Sequence, residues 1–195
     1  ETVNMILREP LEGGSMFAKT INMWLLRQPS AEAHRNRITY LTGQLVKETH
    51  RLAQRGSIAQ IFSLGCGPAG EVKNFLIQEE LSNKARFTLF EGKVDVLDLD
   101  TEIEMVKKSV HQMLKESGKQ AAHRKYDFIY CAGLFDYLSD RVCKRLMNIL
   151  YDMLAPSGLL LATNVHASNP NRNSMDVFLE WHLVHRNRAQ LEHLR

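Results

Sequence analysis

The spacing of hydrophobic positions changes near residue 57. Before it, apolar residues recur every three to four positions, the period of an amphipathic helix. Met16, Phe17, Ile21, Trp24 and Leu25 fall on one helical face. Pro29 then breaks the chain, and Ser30 is a candidate N-cap for a second helix. Ile38, Leu41, Leu45 and Leu52 keep helical spacing along it, with Gly56 where such a helix closes. Glu9-Pro10 and Gly13-Gly14 mark a loop ahead of both.

From 57 to 165 strand and helix signals alternate. Residues 57–64 are short, apolar and closed by glycine, the pattern of a buried strand. Gly65-Cys66-Gly67-Pro68-Ala69-Gly70 follows, and Val72, Phe75 and Leu76 then resume the helical period. Residues 86–90, 103–106, 126–132 and 159–164 read as further strands. Residues 139–154 read as an amphipathic helix with Val142, Leu146, Ile149, Leu150 and Met153 inward, ended by Pro156-Ser157-Gly158. Strands alternating with helices predict an α/β fold, a parallel sheet covered on both faces, here with a helical cap over 1–56 and a sheet domain over 57–195.

Composition narrows the function. Of 195 residues 44% are hydrophobic and 24% charged, which is a globular balance. Twenty-five Lys and Arg against 22 Asp and Glu leave a net charge of +3, too small to argue for a nucleic-acid groove. The three cysteines, Cys66, Cys131 and Cys143, are widely spaced with no CxxC pair. Neither a disulfide framework nor a structural zinc site is expected, and a reducing cytoplasm fits best. No apolar run approaches the ~20 residues that span a bilayer, so integral membrane association is not expected.

The loop at 65–70 carries the most chemistry. A strand enters it and a helix leaves it. Glycines at 65 and 67 let the backbone turn sharply and lie close to a ligand. Pro68 suits a first helical turn, where its missing N–H costs nothing. The helix start offers unpaired N–H groups to an anion. By itself the Gly-x-Gly-x-x-Gly spacing also describes dinucleotide binders, or a tight turn with no ligand. No Lys-Ser or Lys-Thr follows, which disfavours a Walker-type phosphate site. An adenosine cofactor would want an acid after the second strand, and Glu91 lies there.

Taken together, three blocks resemble class I S-adenosylmethionine-dependent methyltransferases. Leu64-Gly65-Cys66-Gly67-Pro68-Ala69-Gly70 resembles their first motif. Residues 126–138, Tyr-Asp-Phe-Ile-Tyr-Cys-Ala-Gly-Leu-Phe-Asp-Tyr-Leu, resemble the fourth strand and its loop. Leu154-Ala155-Pro156-Ser157-Gly158-Leu159 is similar to the turn into the fifth strand. A narrower resemblance rests on residues 31–37, 132–138 and 180–183. It points to bacterial methyltransferases that make the methyl ester of a β-hydroxy fatty acid, a quorum-sensing signal. Two departures stand out. The stretch from Phe90 to Ile103 is too short for a normal helix and two loops, so Asp95 competes with Glu91. The family pattern also continues into two further strands beyond the residues seen here.

The resemblance implies a Rossmann-like fold, S-adenosylmethionine as cofactor with S-adenosylhomocysteine as product, and a transferase of class EC 2.1.1. It implies that Gly65, Cys66, Gly67 and Gly70 line the methionine portion of the donor, Glu91 the ribose, and Ser109-Val110 the adenine. Ala132, Gly133 and Leu134 would lie near the sulfur. Phe135 and Tyr137 either wall the transfer channel or belong to the core. Asn164 and His166 leave the fifth strand at its functional edge, where His166 is a candidate base beside Tyr137. Ser109 is equally readable as a surface cap, and His166 as a loop histidine. Arg35 and Arg37 are candidates for an acidic substrate, because a guanidinium grips a carboxylate through two parallel hydrogen bonds; solvated helix charges are the plain alternative. Trp181, with Arg186, would close that pocket. His182 and His185, three apart on an expected helix, lack a third ligand, so no metal is expected. The implied partner is a small or lipid-like acid. Alternatives are a small-molecule O- or N-methyltransferase of other specificity and a non-catalytic donor-binding regulatory module. Nothing in the sequence speaks to oligomeric state.

Overall fold

The computed structural model describes residues 2–8, 11–90, 102–116 and 124–194. Eight α-helices and five β-strands alternate within them. Helices α1 (Thr2–Arg8), α2 (Met16–Leu26) and α3 (Pro29–Ala53) come first. Then follow β1 (Ala59–Leu64), α4 (Gly70–Gln78), β2 (Ala85–Phe90), β3 (Ile103–Val106), α5 (Val110–Glu116), β4 (Tyr126–Cys131), α6 (Asp140–Asp152) and β5 (Leu154–Ala162). The short helices α7 (Arg172–Phe178) and α8 (Arg188–Glu192) close the described chain.

The strands form one sheet in the order β3-β2-β1-β4-β5, every pair parallel. Ile61 of β1 sits level with Phe87 of β2 and Phe128 of β4. Side chains alternate across the sheet, and both faces are covered. On one face Ile61, Phe87 and Phe128 pack under α3 and α4 through Leu41, Leu45, Val72 and Phe75. On the other Phe62, Leu64 and Ile129 meet α5 and α6 through Met113, Cys143, Leu146 and Leu150. Each such large apolar side chain contributes roughly 1.5–3 kcal/mol when fully buried. That double burial is why the strands read as apolar runs rather than alternating ones.

Several boundaries differ from the sequence reading. The break expected at Pro29 is present between α2 and α3, with Pro29 itself the first residue of α3, where a missing N–H is harmless, and Gln28 takes the cap position expected of Ser30. Pro156-Ser157-Gly158 lies inside β5 as an irregularity, with Ser157 at φ +63°, because the register slips between Tyr126 and Phe128. His182 and His185, expected on a helix, lie in an irregular segment over 180–187 in which Glu180 has φ +48° and Arg186 bridges His166. The apolar face of α2 is the exposed one: Met16 is 79% and Phe17 76% accessible.

Candidate functional site at the carboxyl ends of the strands

In this strand order the chain leaves β1 towards β2 and leaves β4 towards β5. The chain direction thus switches between β1 and β4, and the carboxyl edge at such a switch point is where open α/β sheets bind ligands. Of the residues singled out from sequence, Gly65, Cys66 and Gly67 lie on the first of these loops and Ala132, Gly133 and Leu134 on the second.

The β1 loop is held open by backbone conformation. Gly65 and Gly67 have φ +68° and +52°, a left-handed region that glycine enters freely. Ala69, at φ +48°, caps α4 and bears the strain a side chain incurs there. Helix α4 starts at Gly70, so Pro68 lies in the turn before the helix rather than in its first turn. The Gly65 N–H donates to the Phe90 carbonyl at 2.8 Å, tying the ends of β1 and β2 together. A Cβ on Gly65 would lie 3.3 Å from the Leu134 Cβ, so its absence allows the two loops to approach. Cys66 is buried and its thiol points at the Gly67 carbonyl.

The β4 loop supplies the facing wall. Gly133 turns at φ +86° and donates its N–H to the Thr163 hydroxyl at 3.0 Å. A Cβ there would come within 2.8 Å of an Arg37 Nη1, so the α3 guanidinium lies directly over this glycine. The Arg37 Nε is buried without a hydrogen-bond partner. Its charge also reaches Glu71 and Asp136, favouring their ionised forms. Burial wins at both: Glu71, which accepts a 2.8 Å bond from the Tyr130 hydroxyl, is pushed up, and Asp136 is pushed up to about 6. Asp136 holds the loop by accepting the Val165 N–H at 2.7 Å on Oδ1 and the Val184 N–H on its carbonyl.

Other candidates are placed as follows. Tyr137 is half exposed, and its hydroxyl accepts a 2.7 Å bond from Trp181 Nε1. The Trp181 ring lies 5.2 Å from the ring of His34 on α3. Phe135 is core, 1% exposed. Asn164 Oδ1 accepts from Arg186 at 2.6 Å, and its amide donates to the Val184 carbonyl. Arg186 is buried and also reaches Asp140 and the carbonyls of Phe135 and Leu138. That network staples the irregular 180–187 segment to the β4 loop, a fixed structural task for both Arg186 and Asn164. His166 is exposed and bonded to Ser168 at 2.7 Å. Arg35 donates to the Leu26 carbonyl at 3.0 Å, capping α2. Ser109 and Gln112 form a reciprocal cap that starts α5 at Val110, so the Ser109 hydroxyl accepts a backbone N–H. Glu91 and its competitor Asp95 lie outside the described residues.

Sequence reasoning missed Glu71, Tyr130, His34 and Thr163 as parts of this site. Only the burial of Glu71 in the first turn of α4 marks it, and the helical period there gives no sign of it. Among the described residues no group of His, Cys, Asp and Glu is arranged to hold a metal ion. An apolar cleft with about 20 Å³ of free space, room for one water, lies between α1, α2, α3 and α7 with Trp181 in its wall. A hollow of about 430 Å³ around Lys125 and the β5 irregularity lies at the other end of the sheet and touches none of the candidate residues.

The arrangement is a Rossmann-like fold, a five-stranded parallel sheet with helices on both faces. No family model matches the sequence, and no curated protein matches it. Among solved structures the chain is similar to an O-methyltransferase family protein from Burkholderia thailandensis, with a TM-score of 0.52 and 11% identity, over 88% of this chain and 55% of that one. It thus spans about half the length of that protein. A cyclopropane synthase from Mycobacterium tuberculosis (TM-score 0.48, 14% identity, 77% of this chain and 58% of that one) and PKMT2 from Rickettsia typhi in complex with AdoHcy (0.45, 17%, 70% and 27%) are more distant and add nothing to the fold assignment.

Proposed function

We propose that the chain is an S-adenosylmethionine-dependent methyltransferase acting on a carboxylate, with a hydroxy fatty acid or similar apolar acid as acceptor and 1–56 as the helical cap of the donor-binding domain. The observation that carries this reading is the pair of left-handed glycine turns at Gly65-Gly67 and Gly133, which meet at the carboxyl edge of the sheet under the Arg37 guanidinium, whose Nε is buried without a partner. One feature bears on the fit to the donor: Gly133 has no side chain, and a Cβ there would collide with the Arg37 guanidinium.

S-adenosylmethionine supplies a methyl group on a sulfonium. The residues that would hold it are Gly65, Gly67, Ala132, Gly133 and Leu134, with Gly70 at the start of α4. A carboxylate is already ionised at neutral pH, with a reference pKa near ~4, so no base has to act on it. Arg37 orients it, and the apolar surroundings keep water away, where alignment supplies most of the rate. Arg35, already engaged at the end of α2, has the weaker claim of the two. Tyr137, bonded to Trp181, forms the outer wall.

The test is incubation with labelled donor and a panel of fatty and hydroxy fatty acids, on the natural chain and on Arg37→Met. The reading predicts a methyl ester product. In the variant KM for the acid rises roughly 10–100-fold, the worth of a charge-assisted bond, while donor affinity stays within about twofold. A donor that binds without any acid being methylated would favour the regulatory-module alternative. An acceptor that needs a base, an amine or a phenol, draws support from Asp136, whose raised carboxyl borders the same loop. Asp136→Asn abolishes turnover on that reading and leaves it standing on ours.

A further inference from the structure

Helix α2 is amphipathic the wrong way round. Its inner arc is Ala18, Lys19, Asn22, Leu25 and Leu26, of which only Leu26 is fully buried. Its outer arc carries Met16, Phe17, Ile21, Met23 and Trp24, between 39% and 79% exposed. Wound at ~100° per residue, those five positions with Thr20 and Arg27 fill a continuous stripe of about 160°. A surface helix ordinarily puts this stripe on the core.

Charge singles out what such a stripe fits. No Asp or Glu occurs between Glu12 and Glu32, while Lys19 flanks the stripe and Arg27 ends it. The helix is anchored from behind: Ser15 caps its first turn by accepting the Ala18 N–H at 3.1 Å, Asn22 donates to the Glu12 carbonyl at 3.1 Å, and Arg35 caps its last turn. The first two bonds are local to α2 and its leading loop, and the third ties its end to α3. Phe and Trp beside Lys and Arg, with no carboxylate, are the composition of a helix lying in the plane of a lipid interface, with aromatic rings at headgroup depth and cations facing anionic phosphates. A protein partner of ordinary surface composition would match the apolar area but gives no reason for the absence of acids.

We infer that the outer face of α2 docks the protein on the surface of an anionic lipid bilayer. The helix lies on the membrane and does not cross it; no helix among the described residues is long and apolar enough to span one. The inference stands whether or not the methyltransferase reading holds, because it uses none of the residues proposed to hold the donor or the acid. If both hold, the enzyme would meet apolar acids where they partition.

The test is flotation of the full chain with vesicles of equimolar phosphatidylcholine and phosphatidylglycerol, with pure phosphatidylcholine vesicles as the comparison, while Trp24 emission is followed as the difference between the natural chain and Trp24→Ser, which keeps Trp181. Docking predicts co-flotation with the mixed vesicles, weaker binding to the neutral ones, and weakening by salt over the range where surface charges are screened. Trp24 emission shifts to the blue on binding. Each of Phe17→Ser and Trp24→Ser weakens binding about tenfold or more, as removal of one buried aromatic from an apolar phase requires. Lys19→Glu with Arg27→Glu abolishes the preference for anionic vesicles. These positions are exposed, so far-ultraviolet circular dichroism and donor affinity remain those of the natural chain. The inference is overturned if the natural chain does not float with either vesicle, or if the aromatic variants float as well as it does. It is also overturned if sedimentation shows a dimer that Phe17→Ser dissociates and no vesicle competes with, which would make the stripe a contact between copies.

Discussion

At Gly133 the constraint is doubled. Its φ of +86° is open to glycine, and its missing Cβ is the space into which Arg37 leans. Alanine there meets a left-handed backbone cost of about 1–2 kcal/mol and also pushes the guanidinium away. Gly133→Ala is expected to lower the melting temperature by roughly 3–8 °C for a chain of this size, read by calorimetry, and to weaken donor binding more than Gly70→Ala does. At Gly70 an added Cβ meets only ordinary contacts, 3.7 Å from Leu7 and 3.8 Å from Ile38, and φ is not positive. Asp136 offers a second test at this scale. Burial raises its carboxyl to about 6 in the folded protein, above the ordinary 3.8. The folded state thus holds the proton more tightly than the unfolded chain does. Stability from this group is complete below about pH 4, falls as pH rises towards 6, and is flat beyond. Asp136→Asn keeps an oxygen for the Val165 N–H and removes the titration, so urea midpoints measured between pH 4 and 7 should lose that slope. Glu71, raised by burial in the same direction, leaves part of the slope in place.

Among the elements, the irregular 180–187 segment depends on one side chain. Arg186 reaches Asp140, Asn164 and two carbonyls from a buried position. Arg186→Met would strand the Phe135 and Leu138 carbonyls, at a cost of about 3 kcal/mol or more in chemical denaturation. Arg186→Lys should recover little, since an ammonium cannot span four acceptors with one planar fork. This is also the scale at which reading the sequence succeeds and fails. The strand–glycine–helix unit at 59–78 was legible because a short apolar run, a pair of glycines and a 3.6-residue period are all local signals. So were β2, β3 and α6. The break at Pro29 is legible, but the cap is Gln28 and not Ser30, because proline takes the first helical position itself. The segment of His182 and His185 was misread as helical because its hydrogen bonds go to distant partners, Asp136 and Val165, that no local pattern reveals. The outward apolar stripe of α2 shows the same limit. Periodicity gives a helix and its two faces but not which face meets water.

On the scale of the whole molecule, strand order converts these local features into a site. Order 3-2-1-4-5 brings a loop from residues 65–69 and another from 132–139 to one switch point, although some 65 residues separate them in the chain. Helix α3, ahead of the sheet in sequence, drops Arg37 onto Gly133 there. The candidates that came together there, Gly65, Gly67, Gly133, Leu134 and Arg37, are those whose identity the backbone or the packing demands. Those drawn elsewhere, Arg35, Ser109, Asn164 and His166, already have helix caps or loop contacts to serve, and a single sequence cannot separate a cap from a ligand group.

The central claim is that the β1–β4 switch point binds a methionine-derived adenosine donor. Isothermal titration of the folded chain with S-adenosylmethionine and with S-adenosylhomocysteine tests it directly. The account predicts saturable one-to-one binding of both, weakened at least tenfold by Gly133→Ala as the added Cβ collides with Arg37. A chain folded by circular dichroism that binds neither compound would contradict it.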